Sequence, residues 1–183
     1  MADFSTTDVA AMFNGSAQIR ESIPGRASAI SDLAVLTTQV MASVAVPFLA
    51  GDIITNIAFR SGATAAGTPT NYWFALYDNA GNYLMQTADQ LTAAWAANTT
   101  KALPLLLPQT IRFSGVGYAA VMVKATTPPS LLGQSMFDLT MSTGLVTGQK
   151  ILAQTSGSAL TTTAPATIAS PTATLLRYYA ACY

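Results

Sequence analysis

Two runs that stay apolar on both sides limit this chain's choice of fold more than any other feature. In residues 71–77, Asn-Tyr-Trp-Phe-Ala-Leu-Tyr, strand alternation sends Tyr72, Phe74 and Leu76 to one face and Trp73, Ala75 and Tyr77 to the other. Residues 116–124 repeat the pattern, with Val116, Tyr118, Ala120 and Met122 opposite Gly117, Ala119, Val121 and Val123. A strand with two apolar faces belongs in the middle of a packed sheet. After the first run comes Asp78-Asn79-Ala80-Gly81, a polar, glycine-ended tetrapeptide that suits a four-residue hairpin around a type I turn.

Other strands are expected on either side of this hairpin. Val40, Ala42, Val44, Val46 and Phe48 share one face, and Pro47 marks an edge or a strand's end. In residues 53–60, alternation places Ile53, Thr55, Ile57 and Phe59 together, opposite Ile54, Asn56 and Ala58. Pro104 and Pro108 make residues 99–107 an edge strand, because proline cannot donate to a ladder. A short strand over 110–113 precedes the second central one. Residues 61–70 form a small-residue loop, and residues 88–98 form either a helical turn or an irregular crossover around Trp95. Short strands, frequent turns and no sustained helical period predict an all-β fold: an antiparallel two-sheet sandwich, jelly-roll-like.

The 183 residues divide into an N-terminal arm (1–36), the sandwich (37–130) and an extension (131–183). In the arm, Thr6-Thr7-Asp8 can cap a short helix carrying Val9, Met12 and Phe13 on one side, too short to be stable alone. The arm is read either as ordered by packing on something else or as docked on its own domain. Residues 131–171 are rich in Gly, Ser and Thr, an excursion expected to be ordered only against a neighbour, and the tyrosines Tyr178, Tyr179 and Tyr183 fit an interface. The extension thus either completes the domain or docks on a neighbour.

Net charge is zero, charged residues are 9% and apolar residues 51%, and eight scattered Lys and Arg leave no footprint for nucleic acid. So little charge is an unusual surface for a freely diffusing domain and fits a subunit covered by copies of itself or by a host lattice. Histidine is absent and Cys182 is the single cysteine, which removes Ser-His-Asp and Cys-His sites, His-ligated metals, zinc ribbons and internal disulfides. Met-Ala-Asp-Phe-Ser lacks a basic leader and no apolar run approaches a span, so synthesis in a cytoplasm without membrane insertion is expected.

Catalytic, cofactor and metal sites are all expected to be absent. Asp52, Asp78, Asp89 and Asp138 are dispersed and read as structural turn residues rather than a glycosidase pair. Asp78-Asn79 with Asn82 would make a poor calcium site, and a hairpin turn explains these residues without a metal. Glycine patterns for phosphate loops or dinucleotides do not occur. Trp73 is expected in the core. Trp95 is read either as core or as a sugar-stacking face.

The run from Ser61-Gly62-Ala63-Thr64 through Gly67-Thr68-Pro69-Thr70-Asn71-Tyr72-Trp73-Phe74-Ala75-Leu76-Tyr77 resembles a module of virion proteins in tailed phages of actinobacteria. The likeness continues through Gln86-Thr87-Ala88-Asp89, through Ala93-Ala94-Trp95-Ala96-Ala97-Asn98-Thr99 and through residues 117–126, covering about Val40 to Gly133. The resemblance implies an all-β sandwich on the particle surface, in capsid decoration proteins, head fibres or tail-associated proteins, and it brings no catalytic residues. Taken with the charge-poor surface, the flanking arms and the lack of catalytic residues, the leading reading is a non-enzymatic minor capsid or decoration protein, made in the host cytoplasm and carried on the virion. Its partners would be the major capsid protein and copies of itself. Shell symmetry makes a trimer the expected assembly, with Val9, Met12, Phe13, Tyr178, Tyr179 and Tyr183 as contact residues. The alternative is a tail or fibre module that recognises host cell-wall glycans through Trp95.

Overall fold

The computed structural model describes residues 19–22, 29 and 31–183. In chain order the strands are β1 (Arg20–Glu21), β2 (Ser31–Asp32), β3 (Met41–Phe48), β4 (Ile53–Arg60), β5 (Asn71–Tyr77), β6 (Tyr83–Gln86), β7 (Thr100–Thr110), β8 (Gly115–Lys124) and β9 (Leu132–Ser135). A short helix, α1 (Leu139–Thr143), precedes β10 (Ala153–Ser156), β11 (Thr172–Ala173), β12 (Leu176–Tyr178) and β13 (Ala180–Cys182). Among the described residues these strands form three sheets, ordered β11-β10-β3-β8-β5-β6, β1-β13-β4-β7 and β12-β9-β2, with every pairing antiparallel. The fold is all-β, with antiparallel sheets packed in layers.

The doubly apolar strands lie where their sequence requires. β3, β8 and β5 are interior strands of the large sheet, as is β10. Tyr72, Phe74 and Leu76 join Val44, Val46, Phe48, Val121 and Val123 in a core shared with Ile57, Phe59, Leu103 and Cys182 from the small sheet. Phe74 sits between Phe59, at 4.9 Å between ring centroids, and Trp95, at 5.6 Å. Pro47 is an end signal here, since the β10 side of β3 is paired only from Met41 to Val44. Pro104 and Pro108 do lie on an edge strand, β7.

The second face of the large sheet is covered by the chain's own later segment. Trp73, Ala75, Tyr77, Tyr118, Ala120 and Met122 form a second apolar cluster with Ala164, and Leu152, Leu160 and Ile168 pack against it. Residues 157–170 cross this face as a strap held at successive points. Trp73 Nε1 donates to the Thr161 carbonyl at 2.8 Å, Tyr77 Oη donates to that of Pro165 at 2.9 Å, and the Ala164 amide donates to Gln86 Oε1 at 2.7 Å. The strap part of the excursion therefore lies against its own domain.

Residues 53–60 depart from simple alternation. The β4–β7 register shifts between Ile54 and Asn56, so Ile54 is buried with Ile57 and Phe59 while Ile53 is 56% exposed. Across the shift, residue 55 of β4 stands against residues 105–108 of β7, and the irregularity moves the side chains before it to the opposite face. Its two free amides, of Thr55 and Asn56, both donate to the Tyr183 main-chain oxygen at 2.7 Å. Residues 111–114 are a loop and not the short strand expected there.

The Asp78 turn forms as read. Asp78 Oδ1 accepts from the Ala80 and Asn82 amides, each at 2.8 Å, Oδ2 accepts from Asn82 Nδ2 at 3.0 Å, and Gly81 takes φ +81°. Partial burial pushes the carboxyl upward, but these hydrogen bonds outweigh it and hold the acid below its usual range.

Candidate functional site

The aspartates among the described residues are committed to structure. Asp52, 1% exposed, receives Arg20 in a bidentate pair, Nε to Oδ2 at 2.6 Å and Nη2 to Oδ1 at 2.7 Å, and also accepts the Leu49 amide. Asp89 accepts the Tyr72 and Leu91 amides and Asn71 Nδ2, Asp138 caps α1 by accepting the Met141 amide, and Asp32 accepts the Ala63 amide. Among the described residues no three His, Cys, Asp or Glu side chains come together as a metal-binding group. No helix among them is long and apolar enough to cross a membrane.

The aromatic candidates lie inside the molecule. Trp95 is 0% exposed, its ring 5.7 Å from that of Tyr72 and its Nε1 donating to the Thr99 carbonyl. A sugar needs an open ring face, so Trp95 is corrected from glycan contact to core anchor of the 88–98 crossover. Tyr178 is 6% exposed and belongs to the same core, where burial pushes its phenol up to about 12. It is corrected from partner contact to core residue. β9 can approach β12 this closely because Gly133 has no side chain: a Cβ there would lie 2.3 Å from the Arg177 carbonyl oxygen. Tyr179 and Tyr183 are half-buried and tied within the chain, Tyr179 through its hydroxyl to Glu21 at 2.5 Å and Tyr183 through the β4 bulge. Burial pushes the Cys182 thiol up to about 12, leaving it a small core side chain.

The N-terminal reading divides. Arg20 and Glu21 pair with Cys182 and Ala181, and Ser22 closes the contact by donating from its amide to the Ala180 carbonyl. This part docks on its own domain. Val9, Met12 and Phe13 lie outside the described residues.

Besides Val35, Leu49 and Leu91, large apolar side chains face water on two surfaces of the described residues. One surrounds the β4 bulge: Ile53, Leu106 and Leu107 are 56%, 57% and 62% exposed, and residues 105–108 have no β4 partner in the ladder. The other is the segment 137–146, with Phe137, Leu139, Met141, Leu145 and Val146 all exposed. This segment is tied at its base. Buried Ser142 donates from its hydroxyl to the Ala153 carbonyl and accepts the Leu152 amide at its own carbonyl, while Gln149 Oε1 accepts the Leu145 and Val146 amides. Ser142 is the buried residue of this segment, while its large apolar side chains stand outward. Beside it lies a groove of about 520 Å³ lined by Val116, Met141, Leu145 and Leu152.

Neither surface was picked out from sequence. The signal for the second was the run from Asp138 to Gly144, a helix cap and a helix stop around a segment with no other charge.

Compared with known proteins, the chain matches no family, no curated protein and no solved structure.

Proposed function

We propose that this chain is a non-enzymatic structural protein of a phage particle, a capsid decoration or minor capsid protein that adheres to the major capsid shell. The observation that carries this reading is the pairing of a charge-poor chain with large apolar side chains held outward on ordered backbone at two places. Exposed apolar patches on well-packed proteins mark contact surfaces. The commitment of the described aspartates to caps, turns and an ion pair is in keeping with a structural role. The resemblance to virion modules supplies the particle. The glycan-binding alternative loses the residue it rested on, because Trp95 has no open face.

The bulged stretch around Ile53, Leu106 and Leu107 is the surface assigned to the shell. Pro104 and Pro108 keep β7 from extending its ladder to another strand, so contact there is made by side chains. Sedimentation of a lysate that produces both the chain and the particle tests the assignment. The chain is expected to travel with intact particles after a salt wash, since apolar contacts are not screened. A chain found only at the top of the gradient would overturn the proposal.

A further inference from the structure

We infer that segment 137–146 and the groove beside it form a two-fold contact between two copies of this chain. The inference concerns self-association and does not depend on the particle assignment.

Phe137 is 94% exposed, an aromatic ring standing almost wholly in water. Rings of this kind are the anchors that contact surfaces use. The receptacle is the adjoining groove of about 520 Å³, within the ~300–1,000 Å³ that takes up small organic molecules and ample for one ring. Met141 and Leu145 belong both to the groove wall and to the projecting segment. Projection and receptacle therefore share one side of the molecule. In a two-fold arrangement each Phe137 enters the other copy's groove and both seats fill at once, whereas a head-to-tail ring needs them on different sides.

Charge fits the same arrangement. Between residues 125 and 176 the charged side chains are Asp138 and Lys150 alone. Asp138 neighbours the projecting ring, and Lys150 lines the groove with Nζ donating to the Asn79 carbonyl at 2.8 Å. Reciprocal seating brings each Asp138 toward the Lys150 of the other copy, so the surface complements itself and carries no net charge. The five exposed side chains equal about three fully exposed large residues, on the order of 500 Å² of apolar surface per copy. With the groove walls and a polar rim, that approaches the roughly 800 Å² per partner of a stable contact. This arrangement departs from the trimer expected from shell symmetry.

Sedimentation equilibrium on the full chain, with circular dichroism as the folding control, tests the inference. The wild-type chain is expected to be a dimer. Phe137→Ser removes the projection and Leu145→Arg blocks the receptacle, and each is expected to weaken dimerisation about thirtyfold or more without changing the fold. Mixing the two variants is expected to restore a heterodimer, because one intact projection then meets one intact receptacle. A monomeric or trimeric wild type, unchanged association in Phe137→Ser, or a mixture that stays monomeric would each overturn it.

Discussion

Trp73→Ala is expected to lower the unfolding free energy by about 3–5 kcal/mol, the usual cost of emptying a buried tryptophan site. Trp73 is fully buried on the outer face of the large sheet, and its Nε1–H is one of the bonds that hold the strap. Truncation leaves a cavity beneath residues 157–170 and frees the Thr161 carbonyl. At roughly 2–4 °C per kcal/mol for a chain of this length, the melting midpoint should fall by about 6–20 °C. Limited proteolysis should then cut first within the strap, since its ordering depends on this face. Trp73→Phe keeps most of the ring and loses the bond, and should cost about 1–2 kcal/mol. A loss below about 1 kcal/mol in the alanine variant, by chemical denaturation, would mean the strap does not lie where described.

Arg20→Ala should be comparably damaging for a different reason. It leaves Asp52, 1% exposed, as a buried carboxylate without its cation, a change that costs about 3–5 kcal/mol. Coulomb attraction alone would be a poor guide, because burying both charges costs nearly as much as their pairing returns. The contrast with the double variant Arg20→Leu with Asp52→Asn is therefore informative. With both charges removed, much of the lost stability should return, leaving a deficit of about 1–2 kcal/mol from the bonds to Leu49 and around β1. Urea titrations of the three proteins measure both numbers. If the double variant is as unstable as Arg20→Ala, the uncompensated charge is not the cause.

How far the sequence carried the fold depended on how local each determinant is. The central position of β5 and β8 was legible because seven or more consecutive residues state it, and the Asp78 hairpin was legible because its hydrogen bonds close within five residues. The bulge in β4 was not, since alternation alone favours Ile53 over Ile54, and the bulge is filled by Tyr183, well over a hundred positions away. The strap gave only an indirect sign. Two apolar faces on β5 and β8 demanded a cover for each, yet the strap binds largely through carbonyls that every residue possesses, so its Thr- and Ala-rich sequence does not announce the role. Trp95 was ambiguous for the same reason, its partners Tyr72 and Phe74 being set by tertiary packing. The outward-facing segment went unread because its exposure follows from Ser142 turning inward and Gln149 closing onto the Leu145 and Val146 amides, a choice invisible in the order of residues.

The large sheet is covered on both faces by the chain itself, and under the proposed function the large apolar side chains that remain exposed serve adhesion. Reconstitution tests this most directly: purified wild-type chain and a Leu106→Ser, Leu107→Ser variant are each mixed with shells lacking the protein, and bound copies are counted after sedimentation. Both residues are more than half exposed, so the variant should melt within a few degrees of wild type. The account predicts saturable wild-type binding that is weakened about tenfold or more in the variant. Wild-type chain that fails to bind shells, or variant chain that binds them equally well, would contradict it.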